Sequence, residues 1–295
     1  MKPDPKYRFA LPEITQFAFA VLAAIVLVFG FLPCAAAQSE EDFHQQVALV
    51  SGGSVLVENS RGDVSIEGWD KAEMQVDARK IFDGDGADRE RWMQETKIRV
   101  EGDEHHRFVK VEYPTELLHS WGGWSGRRAV NLTIHLPRQI NAELKTDRGH
   151  VTAQQIAGKL DIGSDRCDVD ITRMDGELRV HADRGDLKVR ESRIHGGIRV
   201  SLDRGSAQID LQQLAGDSNL EVSRGDLSVT LPKSASFTLD AERTRRSNFR
   251  TDFGVLTRGN FSSGSIRGEV NGGGPVLRLR SERGDVWLHA ASQMQ

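Results

Sequence analysis

Cysteine is nearly absent from this 295-residue chain, which holds only Cys34 and Cys167. A small scaffold stapled by several disulfides is therefore excluded, and burial and backbone pairing must hold the fold. Aromatic residues make up 6% of the chain, and with 29 glycines beside them the composition suits many short strands better than long helices. Charge of one sign is lacking too. Lys+Arg 39 against Asp+Glu 43 leaves a net charge of -4, with no cationic excess to drive phosphate-backbone binding, so nucleic acid is not expected as a partner. What is present, 28% charged and 38% hydrophobic residues, is ordinary globular composition and excludes disorder throughout.

One long apolar run occurs, Phe17 to Leu32, preceded by Lys2, Lys6 and Arg8 and followed by Cys34-Ala35-Ala36-Ala37. Charged, apolar and small-residue segments in that order read as a secretory signal over 1–37, cleaved before Gln38, in preference to a retained membrane anchor or a lipid on Cys34. Membrane contact is then expected only through an uncleaved signal segment. Cleavage would leave Cys167 alone, with no internal disulfide. Residues 38–47 read as a linker, 48–290 as the folded domain and 291–295 as a tail.

Within that domain a turn of the Asp-Arg-Gly-Asp kind recurs, aligning Arg61, Arg148, Arg166, Arg184, Arg204, Arg224, Arg243 and Arg283. From Arg148 onward the spacings are 18, 18, 20, 20, 19 and 40, the last taken as two units with one obscured turn. Four residues before each arginine stands an aliphatic residue: Val57, Leu144, Ile162, Val180, Val200, Leu220, Leu239 and Leu279. Three and five residues after it, apolar residues return (Val64 and Ile66, Val169 and Ile171, Leu187 and Val189), and only the Arg243 register fails. Each unit thus reads as two short alternating strands around a glycine turn, with a second glycine at Gly53, Gly158, Gly176, Gly196 and Gly216. Cys167 and Thr244 stand where the first glycine belongs, so those two corners should differ. A period near 19 with two strands per unit predicts an all-β, single-domain β-solenoid (β-helix) of about seven or eight coils, a rod roughly 35 Å long.

The Gly53 to Ile66 opening (Gly-x-Val-x-Val-x-Asn-x-x-Gly-Asp-Val-x-Ile), the insertion closing on Leu132-x-Ile134-x-Leu136-Pro137, and the final Gly284-Asp285-Val286-Trp287-Leu288 carry a likeness. From about Ala48 to Ala290 the chain resembles the bacterial family of β-strand-repeat proteins of unknown function labelled "putative adhesins". The resemblance implies architecture and an adhesin-like role, and it brings no catalytic or ligand motif.

Between residues 70 and 140 the period vanishes. This insertion predicts a strand at Met74-x-Val76-x-Ala78, a short helix from Ala87 to Thr96, a hairpin of Ile98-x-Val100 with Val109-x-Val111-x-Tyr113, and a strand from Val130 to Leu136. Its expected role is to cap or wall an exposed solenoid end. The run Asp83-Gly84-Asp85-Gly86-Ala87-Asp88 departs from a calcium loop at the sixth and twelfth positions and reads as an acidic lead into the helix, so no metal site is expected.

Stacked turns would align Arg148, Arg166, Arg184, Arg204 and Arg224 in a column, flanked and neutralised by Asp147, Asp165, Asp183 and Asp203. That ladder is mainly structural, or else a repeating surface for a charged polymer. The Arg-Gly-Asp tripeptides follow from the same repeat and do not call for an integrin. Trp121, Trp124, Arg127 and Arg128, in a glycine-rich loop, are the candidate ligand-binding residues, with indole faces and charge suited to a glycan or anionic sugar. The motifs HExxH, GxSxG and GxxxxGK are absent, so no catalytic residue and no cofactor is expected. The reading is a non-catalytic exported binding or scaffold module, in the periplasm or on the surface of a bacterium, whose partner is a glycan or another envelope protein. The alternatives are a polysaccharide-active β-helix enzyme and a periplasmic component of an envelope-stress signalling system.

Overall fold

The computed structural model describes residues 41–83, 87–114, 128–242, 244, 246–257 and 265–291. The expected signal, Trp121, Trp124, Arg127, Arg243, the Gly84 to Gly86 stretch and most of the tail lie outside the described residues. Strands β1 (Glu41–Ala48), β2 (Ser54–Arg61), β3 (Val64–Trp69) and β4 (Glu73–Phe82) precede helix α1 (Ala87–Glu95). Then come β5 (Lys97–Gly102), β6 (His106–Glu112), β7 (Arg128–Pro137), β8 (Asn141–Gln154), β9 (Ala157–Thr172), β10 (Asp175–Arg184) and β11 (Leu187–Arg204). The chain ends with β12 (Ala207–Leu214), β13 (Ser218–Arg224), β14 (Leu227–Pro232), β15 (Phe237–Glu242), β16 (Phe249–Thr251), β17 (Ser265–Val270), β18 (Val276–Arg283) and β19 (Val286–Ala291).

The repeat forms two parallel walls that share one corner. In the first wall β2, the first half of β8, the first half of β9, β10, the second half of β11 and β13 pair in order. In the second, β3, the rest of β8, the rest of β9, the start of β11, β12 and β14 do the same. Alternation then sends every second side chain inward. All eight aliphatics of the first column are buried, with Val57, Leu144, Ile162, Val180, Val200, Leu220, Leu239 and Leu279 between 0% and 2% exposed. Val64, Val169, Leu187, Leu227 and Val286 face them from the second wall, equally buried. Each such side chain contributes about 1.5–3 kcal/mol by leaving water, and because in-register parallel pairing stacks like on like, the columns make one continuous core.

The last layers depart from sequence order. β18 pairs with β13 on one side and β15 on the other, and β19 lies between β14 and β16. Arg283 therefore sits directly on Arg224, and the unit beginning at Phe237 is outermost. The 40-residue gap is thus a layer looped outward, closed by the antiparallel partner β17 of β15, and not an obscured turn within the stack. A direct check is available. Glu221→Cys with Arg280→Cys should oxidise to a disulfide, since those positions are in register, whereas Glu221→Cys with Glu242→Cys, two strands or about 9.6 Å apart, should not.

The insertion builds the opposite end. β6 pairs with β2 and β7 with β3, so it supplies a further layer, and the antiparallel strands β5 and β4 extend the two walls. The predicted strands, hairpin and helix are all present. Trp92 of α1 is buried 5.7 Å from Phe82, and Lys80 reaches the Met93 carbonyl at 2.8 Å. At the hairpin tip the Asp103 carboxylate accepts the backbone N–H groups of His105 and His106, each at 2.8 Å, and both histidines are exposed. Residues 41–47, expected as part of the linker, instead form with Ala48 the strand β1 on the edge of β4, tied by Arg107 to the Ala48 carbonyl at 2.8 Å. Their mostly polar sequence, with only Phe43 and Val47 packing on the core, hid the strand.

Candidate functional site

The shared corner carries the arginines, and its glycines explain the tripeptide. At Gly205 φ is +133°, and an added Cβ would lie 1.9 Å from the Gly185 carbonyl oxygen. Only glycine admits both the left-handed backbone and the close approach of the next layer. Cys167, in the equivalent place, has no positive φ; β9 runs through the corner unbroken, and the side chain turns inward with its thiol 3.8 Å from the Thr146 hydroxyl. Burial pushes that thiol pKa up, which leaves it protonated and unreactive at neutral pH. The Thr244 corner also differs: its hydroxyl donates to the Glu282 carbonyl at 2.9 Å.

The residue after the glycine has a role the repeat pattern alone did not reveal. Asp63 accepts the His150 N–H at 3.0 Å, Asp168 that of Asp186 at 2.9 Å, Asp186 that of Ser206 at 2.8 Å, and Asp226 that of Asp285 at 2.8 Å. Each carboxylate thus caps the backbone of the next layer. The ladder skips where His150 supplies no carboxylate to Asp168. Three of the four Arg-Gly-Asp aspartates, Asp63, Asp186 and Asp226, are committed to this internal bonding, and Asp285 accepts instead from the Asn248 side-chain amide at 2.9 Å, which accounts for the tripeptide within the fold.

The arginines themselves are aligned without slippage. Arg61, Arg148, Arg166, Arg184, Arg204, Arg224 and Arg283 pair in succession across neighbouring strands, and all but the half-buried Arg61 are exposed. Neutralisation by the flanking acids is only partial, against expectation. Asp165 meets Arg166 at 3.5 Å and Asp203 meets Arg204 at 3.6 Å, but Asp183 lies 3.9 Å from His181, and Asp147 forms no ion pair among the described residues. Among the described residues Arg61, Arg148, Arg184, Arg224 and Arg283 have no acid within 4.0 Å. Adjacent cations at ~4.8 Å repel by nearly 1 kcal/mol in water, so the edge gains from any anion that bridges successive layers. Arg128, the one residue of the candidate loop among those described, stacks its guanidinium 5.2 Å over Phe82 at the insertion end, away from this column.

Elsewhere the surface carries open hollows. The hollow of about 580 Å³ beside β15 and β18 is lined by Asp240, Glu242, Arg267 and Arg280, and Asp240 is held by Arg267 at 2.8 Å. A second hollow, about 350 Å³, follows the opposite corner, where Gln155, Arg173 and Glu191 repeat a left-handed conformation in consecutive layers. Among the described residues two carboxylates, Asp77 and Asp103, have displaced pKa values, and both are lowered. At Asp77 burial works upward but is outweighed by hydrogen bonds from His44 and Gln75, and at Asp103 the two backbone N–H groups hold the carboxylate ionised.

A cell adhesion protein of Clostridium sporogenes, described as putative, shares 13% identity over 85% of this chain and all of its own, with a TM-score of 0.41. A "putative adhesin" of Bacteroides fragilis shares 14% over 86% of this chain and 99% of its own, at 0.37, and a "putative lipid binding protein" of Parabacteroides distasonis 12% over 85% and 97%, at 0.35. No curated protein matches the chain. The Toastrack DUF4097 family model matches residues 54–223, the whole span from the first strand of the stack to the Arg224 corner, and the chain belongs to that family.

Proposed function

We propose that this chain is a non-catalytic, exported binding and scaffold module of the bacterial envelope, adhesin-like, built as a β-solenoid of about seven or eight coils. Its arginine edge is the binding surface, and its partner is an anionic polymer, an acidic glycan being the class that fits. The carrying observation is the in-register column from Arg61 to Arg283, in which five of seven guanidinium groups lack an acidic neighbour among the described residues. A polymer with a carboxylate or sulfate on each repeat sets successive anions against successive layers. Multiple weak contacts of this kind add through a shared chain.

The test is binding of polygalacturonate by calorimetry. Arg184→Ala with Arg224→Ala removes two exposed cations, each worth about 0.2–1 kcal/mol in an ion pair, so affinity should fall roughly twofold to thirtyfold with an unchanged circular dichroism spectrum. The parent's affinity should itself drop as salt rises. Equal binding by parent and variant would remove the arginine edge as the site.

A further inference from the structure

Trp287 stands in an outward position of β19 between buried Val286 and Leu288, and it is 40% exposed. Its surroundings are arranged. On one neighbouring strand Arg250 is in register with it, the guanidinium carbon 6.0 Å over the indole. Along its own strand His289 meets the ring edge-on at 5.9 Å and is itself held by Asp252 at 3.2 Å. The strand on the other side places Ser228 in register, a side chain too short to cover an indole. Beyond Ser228 comes Gln208, and the next outward column holds Thr230 and Asp210. Among the described residues these four side chains make no hydrogen bond.

We propose that the Ser228 side of Trp287 is a subsite for one pyranose ring of a glycan. An indole fixed on one face and at one edge has little freedom to lose, which lowers the entropic cost of stacking. The open face looks across a strand spacing of ~4.8 Å and then ~9.6 Å to Gln208, a slot about the thickness of one sugar ring lying against an aromatic face. The C–H face of a gluco-configured pyranose supplies the apolar contact, while Ser228, Gln208, Thr230 and Asp210 offer donors and acceptors to its equatorial hydroxyls. The inference rests on the glycan reading above but uses a different surface, so the two can fail separately.

The experiment titrates cellohexaose, chitohexaose and a β-galactan oligomer, all uncharged, against the protein, reading tryptophan fluorescence and heat. At least one should bind, with Trp287→Ala about tenfold weaker, Trp287→Phe intermediate, and Arg184→Ala with Arg224→Ala indistinguishable from the parent. Because Trp287 is a surface residue, the melting temperature of Trp287→Ala checks that the fold survives. The subsite is overturned if no member of the panel binds, or if Trp287→Ala binds as the parent does. Loss of polygalacturonate binding in the arginine variant alone leaves the Trp287 subsite standing, and loss of neutral-sugar binding in Trp287→Ala alone leaves the arginine edge unproven.

Discussion

Gly205→Ala is expected to cost about 3 kcal/mol or more, lowering the melting temperature by roughly 6–12 °C for a domain of this size. Two effects add. The backbone at φ +133° is one that a side chain rarely adopts, which costs about 1–2 kcal/mol before any contact is counted. The new Cβ would then stand 1.9 Å from the Gly185 oxygen and 2.7 Å from its carbonyl carbon, both backbone atoms that cannot rotate away. Gly185 cannot yield, because it is bound to the same geometry one layer on, 2.0 Å from the Cys167 oxygen by the same construction. Gly52→Ala is the control: φ is +83° but no atom lies within 4 Å, so only the conformational cost of about 1 kcal/mol applies. Thermal melts of the two variants side by side decide the matter, and equal, small shifts would mean that the corner is looser than described.

Leu279→Ala should destabilise by about 3 kcal/mol, within the 2–5 kcal/mol range for a fully buried leucine. Its strand β18 is flanked by β13 and β15, in register with Leu220 and Ala241. In a stack where each layer touches only its neighbours, damage spreads outward from the lesion. Hydrogen exchange should therefore quicken at 276–291 and also at 237–251, while 141–204 keeps its protection. Had the layers followed sequence order, residues 237–242 would lie inside the lesion and stay protected. Leu256→Ala, at a position 71% exposed, should change stability by less than about 0.5 kcal/mol.

The columns were legible in the sequence because parallel pairing in register forces one residue type to recur at one place in each turn, and Leu144, Ile162 and Val180 could do so only at a fixed period. The corner glycines were legible for the same reason, as was the exception at Cys167. What sequence spacing does not encode is spatial order among layers joined by long connections, so the placement of Arg283 against Arg224 had no local signal. The task of Asp186 and its equivalents was hidden because an acid beside an arginine looks like its counter-ion, whereas a backbone N–H one layer away is visible only in the fold. Trp287 was written plainly in the alternation Val286-Trp287-Leu288, where flanking aliphatics inward put the indole outward.

The burial of β18 and β19 beneath the Phe237 unit also constrains how the molecule can be made. A ribosome delivers residues 237–251 well before 276–291, yet the earlier segment has no wall to join until the later one has docked on β13 and β14. Zippering can run forward from Arg61 to Leu231 as the chain emerges, then must pause with two open strand edges and a waiting hairpin. The closing stretch acts as a keystone, and a polypeptide stopped short of Val276 would keep the core of its body while losing its whole far end.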